Sequence, residues 1–270
     1  IFFVTAFRMG VAGVAWATFL CQGASCVLAV WVVFRRLRGL SPEQKGRAFS
    51  WPMLGRLARV AVPSMLQQGC ISVGNIIIQG VINGFGPAVV AGYSAAVKLN
   101  NLVITSFTTL ANGISNYTSQ NMGAGKMERV KEGFGAGRNL VWIICVPIVL
   151  LYFFFGRFLL LLFMNDPQGP AIDTGMLFLR ILSPFYFVVS LKLVTDGILR
   201  GCGHNLWPTV LSLVGMVGVR QVFLAVTMHI DRAVENIYYC YPVAWAATLL
   251  LLSAYYIIVR KRLLPNGESL

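Results

Sequence analysis

Long apolar stretches alternate with short polar and basic segments along the chain. A helix of about 20 residues rises about 30 Å, which is the thickness of the hydrocarbon core of a bilayer. The pattern therefore predicts an all-α, polytopic bundle of seven membrane-spanning helices, preceded by the end of another helix over residues 1–7. The predicted spans are 11–34, 60–83, 88–119, 140–156, 176–199, 208–228 and 240–259.

Glycine and proline mark the predicted ends and bends of these helices. The segment 84–87, Gly-Phe-Gly-Pro, predicts a tight turn. Pro63 is expected in the first turn of its helix, where a missing backbone N–H costs little. Pro147 and Pro184 lie inside spans, where proline breaks helix hydrogen bonding, so each is either a hinge or a packing kink.

The composition agrees with a membrane protein. A soluble domain is about 45–50% apolar and about 25% charged, whereas this chain is 57% hydrophobic and 11% charged. A net charge of +13 would suggest nucleic acid in a soluble protein, but here the basic residues cluster between spans. We therefore expect membrane lipid, and no nucleic acid, as a partner. The six cysteines lack the spacing of metal ligands, so no metal site is predicted.

The basic residues of the loops predict the orientation of the chain. Arg8 and Arg232 lie on one side of the predicted membrane, and fifteen basic residues lie on the other. Because cytoplasmic loops carry the excess of lysine and arginine, the second side is predicted to be cytoplasmic, together with the C-terminus. These fifteen are Arg35, Arg36, Arg38, Lys45, Arg47, Arg56, Arg59, Lys126, Arg129, Lys131, Arg138, Arg200, Arg260, Lys261 and Arg262.

Three strings resemble the multidrug and toxic compound extrusion (MATE) family of efflux antiporters. They are 10–18 (GVAGVAWAT), 120–129 (QNMGAGKMER) and 196–201 (DGILRG). A basic linker followed by Val62-Pro63-Ser64, opening a helix, matches the family in order and spacing. The resemblance covers nearly the whole chain.

The resemblance implies two six-helix lobes that enclose a central cavity. Residues 1–34 would be the end of the N-terminal lobe, 35–59 a basic cytoplasmic linker, 60–262 the C-terminal lobe, and 263–270 a cytoplasmic tail. The chain has no initiator Met and opens within a helix, so we expect a fragment whose partner is the missing part of the N-terminal lobe.

Polar side chains recur at helical spacing in two predicted spans. Residues three and four apart share a helix face, so each set forms a stripe that suits the wall of a water-accessible cavity. The alternative is hydrogen bonding between helices within the lobe. The first stripe is Gln68, Ser72, Asn75, Gln79 and Asn83, and the second is Asn101, Thr105, Thr108, Asn112 and Ser115.

Charged residues inside the spans are further candidates for the cavity. Lys98 and Arg220 are predicted to lie ~15 Å deep, too deep to reach the surface easily, so each is a candidate site residue, as is Lys192. Asp196 lies one turn from both Lys192 and Arg200, so it could form an ion-pair ladder or bind a proton or Na⁺. The resemblance associates coupling with acids elsewhere, on helices one, seven and ten, and the first stripe carries none.

The predicted function is secondary active efflux of amphipathic or cationic compounds in exchange for H⁺ or Na⁺, without a cofactor, in a bacterial inner membrane. The first alternative is a lipid-linked oligosaccharide flippase of the same superfamily, which the cations Lys98, Lys192 and Arg220 would suit. A second alternative is that the chain alone is inactive. A membrane enzyme would need paired acids, a metal motif or a nucleophile constellation, and no such pattern occurs in the spans.

Overall fold

The computed structural model describes residues 9–38, 49–164 and 169–263, together with Phe3 and Phe7. These residues are helical with short connections, which confirms the all-α prediction. They form α1 (Gly10–Arg38), α2 (Trp51–Asn83), α3 (Pro87–Gly123), α4 (Met127–Leu161), α5 (Pro170–Leu182), α6 (Tyr186–Gly201), α7 (Leu206–Leu213), α8 (Arg220–Ile230) and α9 (Val234–Leu263).

Seven of the described helical segments are long and apolar enough to cross a membrane, as predicted. Two of these spans are composite. The span Pro170–Gly201 combines α5 and α6, and the span Leu206–Ile230 combines α7 and α8. The chain divides into two compact units, residues 1–54 and 55–270, which are described separately.

The first unit is dominated by α1. Nearly all of its side chains are exposed, including Trp16, Phe19 and Trp31. Its last turn carries Arg35, Arg36 and Arg38, where positive charge complements the negative end of the helix dipole.

The second unit has its core where α3, α5, α6 and α9 meet. Phe178, Tyr186 and Tyr238 are fully buried there, and aromatic rings pack edge to face around them. Close approach of α3 to α6 depends on Gly197, because a Cβ at that position would lie 2.6 Å from the carbonyl oxygen of Ala111. Small residues commonly allow such contacts between membrane helices.

Each of the two composite spans contains a local departure from the α-helix. Ser183–Phe185 form a 3₁₀ turn between α5 and α6, so Pro184 does interrupt the span as the sequence predicted. Val214–Val219 form a π-helix between α7 and α8, which the sequence did not predict. Arg220 is the first residue after this π-helix.

Several helix ends differ from the prediction. α2 begins at Trp51 rather than at residue 60, so Pro63 lies inside the helix and not in its first turn. Pro52, rather than Pro63, lies in the first turn of α2. Residues 53–62 include no residue that disfavours a helix except Gly55, so the helix begins before the apolar stretch. The predicted linker 35–59 is helical at both ends, and its residues 39–48 lie outside the described part. The proposed division into lobes, linker and tail stays a prediction.

Candidate functional site

The polar stripe of α2 lies mainly on the exposed surface of its unit. Gln68, Ser72, Asn75 and Asn83 are exposed, and Gln79 is partly buried and donates from Nε2 to Asn83 Oδ1 at 3.0 Å. The buried face of the same helix carries Gln67, Gly74, Ile78 and Ile82. Most of the stripe thus lies away from the face of α2 that packs against the rest of its unit.

The polar stripe of α3 is similarly placed. Asn101, Thr105 and Asn112 are exposed, while Thr108 and Ser115 are partly buried. The opposite face of α3 packs into the core through Leu99, Val103 and Phe107. In the described residues, no hydrogen bond joins one stripe to the other, and Asn75 is the one stripe residue whose side chain hydrogen-bonds to another helix.

Arg220 is buried deep in its span and connects α8 to α2. The side chain is only 2% exposed, and it lies ten residues before the end of α8, ~15 Å along the helix. Its Nη1 donates to Asn75 Oδ1 at 2.9 Å, and its Nη2 approaches the Ile71 carbonyl oxygen at 3.5 Å. The guanidinium also lies 5.7 Å from the ring centroid of Tyr241.

The contact between α2 and α8 depends on the absence of a side chain at Gly74. A Cβ there would lie 2.5 Å from Arg220 Nη2 and 2.9 Å from Gln221 Nε2. Gln221 Nε2 also donates to the Gly74 carbonyl oxygen at 3.0 Å. Two side chains of α8 therefore hydrogen-bond to α2 across one glycine.

Asp196 belongs to a second polar cluster, near the end of α6. Its Oδ2 lies 3.1 Å from Arg200 Nε, and Arg200 Nη2 donates to Gln67 Oε1 on α2 at 3.2 Å. Asp196 Oδ1 is buried without a hydrogen-bond partner in the described structure. The carboxylate thus retains an unused acceptor.

The predicted ion-pair ladder on both sides of Asp196 is wrong on one side. Lys192 is buried, but among the described residues it makes no ion pair with Asp196. An acid placed four residues before a base pairs better than the reverse order along a helix, which favours Asp196–Arg200 over Lys192–Asp196.

Lys98 is exposed, and its amine lies 5.3 Å from the ring centroid of Phe163. Phe163 follows the last residue of α4, Leu161, so the lysine extends toward that end of the bundle. The depth of this charge in the membrane stays a prediction, and the flexible four-carbon stem allows the amine to lie some distance from its backbone position.

Buried hydroxyl and amide groups form contacts that the sequence analysis did not identify. Tyr93 and Tyr241 share a hydrogen bond of 2.7 Å between their hydroxyl oxygens, and the Tyr186 hydroxyl donates to Asn100 Oδ1 at 3.1 Å. Tyrosines inside apolar spans were the available signal, because a buried tyrosine hydroxyl usually has a partner.

An apolar cleft lies apart from both polar stripes, between α4, α6 and α9. None of the candidate site residues lines it. The lining residues are Phe134, Leu191, Thr195, Ile198, Ser253 and Tyr256.

Seven membrane-spanning segments, exposed polar stripes and charged groups buried in the spans define a multi-pass membrane protein of the transporter class. The sequence profile of the MatE family matches residues 63–226. The chain belongs to this family, the multidrug and toxic compound extrusion transporters. Proteins of this family are transporters rather than enzymes.

Known relatives agree with this assignment. The chain is 28% identical to the probable multidrug resistance protein YpnP of Bacillus subtilis (strain 168), over 83% of this chain and 49% of that protein. It is 20% identical to the FAD transporter of Shewanella oneidensis, over 76% of this chain and 44% of that protein. The chain spans about half the length of the curated relatives it matches.

A solved structure has the same fold. It is described as the outward-facing conformation of a multidrug resistance MATE family transporter of the MOP superfamily. The alignment covers 99% of this chain and 59% of that one, with a TM-score of 0.79 and 19% identity.

Proposed function

We propose that the chain supplies part of a secondary active exporter that moves amphipathic organic compounds, including multidrug-type substrates, out of the cell. The observation that carries this proposal is the pair of polar stripes on α2 and α3. Each continues over several helical turns and is mostly exposed on a bundle whose other exposed side chains are largely apolar. Polar residues at membrane depth usually face a cavity or a water-filled path.

In this proposal the stripes line one wall of a cavity whose other wall is supplied by the N-terminal lobe. Substrate binds between the two walls and is released on the opposite side after rigid-body rocking of one lobe against the other. The protein lies in the bacterial inner membrane with its C-terminus in the cytoplasm.

Exchange against H⁺ or Na⁺ drives the proposed export. Asp196 is the candidate coupling residue of this chain, and its free Oδ1 supports that role. The ion pair with Arg200 is made through Oδ2 and leaves Oδ1 without a partner in the described structure. A sodium ion bound at Oδ1 does not require that the pair be broken.

Export is tested with the protein expressed from its natural gene and reconstituted in liposomes. We expect uptake or extrusion of rhodamine 6G that depends on a proton or sodium gradient. Asp196→Asn should reduce ion-coupled exchange and Lys98→Gln should alter it, whereas Arg180→Gln, an exposed arginine on α5, serves as the matched control. Unchanged exchange after both substitutions would remove Asp196 and Lys98 from the site.

A lipid-linked oligosaccharide flippase is the second candidate function. Lys192 and Arg220 are both buried in the spans, and cationic groups suit the pyrophosphate of such a lipid. Flipping of a fluorescent pyrophosphate-linked lipid in the same liposomes, with no gradient-driven dye transport, would favour this function. The 270-residue chain alone should be inactive in either assay unless it pairs with a second lobe.

A further inference from the structure

We infer that Arg220, together with Asn75, binds the anionic group of an amphipathic substrate or lipid. The inference rests on the proposed transport function and assigns a charge class to its substrate. The anionic group is a carboxylate, sulfonate or phosphate, whose oxygens accept hydrogen bonds from a guanidinium.

Arg220 is a buried cation that forms no ion pair with an acidic side chain among the described residues. Within the described residues, no carboxylate lies within ion-pair distance of its guanidinium, and its Nε is buried with no acceptor. The contact from Nη2 to the Ile71 carbonyl, at 3.5 Å, is at the limit of hydrogen bonding. Arg200 differs, because Asp196 lies 3.1 Å from it.

Asn75 is the one close acceptor of the guanidinium and also a member of the exposed α2 stripe. Its Oδ1 receives the Nη1 donor at 2.9 Å. This amide is neutral, and an ionised acceptor makes a hydrogen bond roughly twice as strong. A small movement of the Asn75 side chain would therefore expose a guanidinium that binds an anion more strongly than it binds the amide.

The surroundings of Arg220 suit an amphipathic anion. The planar guanidinium can donate two parallel hydrogen bonds to a carboxylate or phosphate. Ile76, the next residue after Asn75 along α2, is 71% exposed and offers an apolar surface to the rest of the molecule. Gly74 leaves room for the guanidinium beside the backbone of α2.

The helix that carries Arg220 is also irregular at this point. The π-helix Val214–Val219 ends immediately before it, and π-helical turns occur frequently at functional sites. The irregular backbone is a second observation, independent of the charge, that marks this position.

The test compares two xanthene dyes of opposite charge, anionic fluorescein and cationic rhodamine 6G. Binding is measured by fluorescence anisotropy with the full chain in phosphatidylcholine nanodiscs. We expect fluorescein to bind wild type, and Asn75→Asp to weaken its binding by about tenfold or more, because a fixed carboxylate then occupies the guanidinium. Rhodamine 6G binding should not weaken.

Asn139→Asp is the matched control for Asn75→Asp. It makes the same change at an exposed residue of α4 that lies outside both stripes and makes no contact with Arg220 among the described residues, so fluorescein affinity should change by less than about threefold. Arg220→Gln should weaken fluorescein binding as Asn75→Asp does. If Arg220→Gln fails to fold, the Asn75→Asp comparison decides alone, since that variant retains the arginine and gives it a partner.

Nanodiscs that contain phosphatidylglycerol distinguish the two sources of the anion. If phosphatidylglycerol competes with fluorescein for the wild-type protein, the site binds a lipid headgroup. If phosphatidylglycerol does not compete, the site binds a soluble amphiphile. Either result supports an anion at Arg220. The inference is overturned if fluorescein does not bind wild type, or if Asn139→Asp weakens its binding as much as Asn75→Asp does.

The binding test is independent of the test of export. Gradient-driven dye transport without an effect of Asn75→Asp on anion binding would contradict this inference alone. Anion binding at Arg220 in a protein that exports no compound would contradict the proposed function alone.

Discussion

Arg220 Nη1 donates to Asn75 Oδ1 across 2.9 Å, and this hydrogen bond joins a buried cation of α8 to an exposed polar stripe of α2. Arginine at the centre of a membrane helix costs about 2.5–3.5 kcal/mol on insertion scales. The contacts with Asn75, Ile71 and Tyr241 replace part of the hydration that the guanidinium loses. A substitution at Asn75 on the stripe is therefore expected to alter the contacts of Arg220 inside the bundle.

Asn75→Asp should stabilise the protein in the absence of substrate. The guanidinium of Arg220 is already buried, so a carboxylate at the exposed position 75 adds charge attraction without burying another charged group. We expect a higher midpoint of thermal unfolding in nanodiscs, by about 2–4 °C for each kcal/mol gained. Gln68→Glu, which adds the same charge away from Arg220, should leave the midpoint unchanged, and an equal rise in both variants would argue against a local pair.

Gly74→Ala should destabilise the contact of α2 with α8. The added Cβ would lie 2.5 Å from Arg220 Nη2, so the end of the arginine side chain must shift and its hydrogen bond to Asn75 weakens. Loss of one hydrogen bond typically costs about 0.5–1.5 kcal/mol. Gly80→Ala is the matched control on the same helix, because its Cβ would meet no atom within 4 Å. It should be neutral or stabilising, and equal loss of stability in both variants would contradict the packing described for Gly74.

Cys202 should react slowly with thiol reagents at neutral pH. It follows the last residue of α6, Gly201, and burial raises the pKa of its thiol to about 11. Because the thiolate is the reactive form, the rate of maleimide labelling in a variant that retains only this cysteine should increase steadily as the pH rises from 7 toward 11. Labelling in detergent-denatured protein is the control. Fast labelling of the folded protein at pH 7 would contradict the burial.

The orientation predicted from the charged loops can be measured with two cysteine substitutions in a cysteine-free background. Lys126→Cys, in the turn between α3 and α4, should be labelled only from the cytoplasmic side by an impermeant reagent. Arg232→Cys, between α8 and α9, should be labelled only from outside. The reverse pattern would contradict the predicted orientation of the chain.

The sequence was sufficient to predict the class of fold and the number of spans because apolar length alone determines them. The ends of α1 and α2 were misplaced because a helix continues beyond the hydrocarbon until a residue stops it, and the apolar pattern stops earlier. The π-helix before Arg220 was not predictable from the apolar pattern. It packs closely against α9, where the Thr248 side chain leaves no space for a Cβ at Gly215.

The sequence predicted which residues belong to the candidate site better than it predicted which of them contact each other. Asn75 and Arg220 were both identified from the sequence, but their contact joins residues 145 positions apart and depends on how α2 packs against α8. The contact of the Lys98 amine with the Phe163 ring was not predictable, because backbone position does not determine where a long side chain ends. Tyr93 and Tyr241 were missed because each residue alone resembles an ordinary core aromatic.

The central claim is that the polar stripes of α2 and α3 line a water-accessible cavity. Single cysteines at Gln68, Asn75, Asn101 and Asn112, in a cysteine-free protein expressed from its natural gene, can be tested with a charged, water-soluble methanethiosulfonate. We predict that these positions react and that amphipathic substrate protects them, while cysteines at Ile77 and Leu102, exposed apolar positions that lie off the stripes, do not react. Unreactive stripe positions, or equal reaction at the apolar ones, would contradict the account.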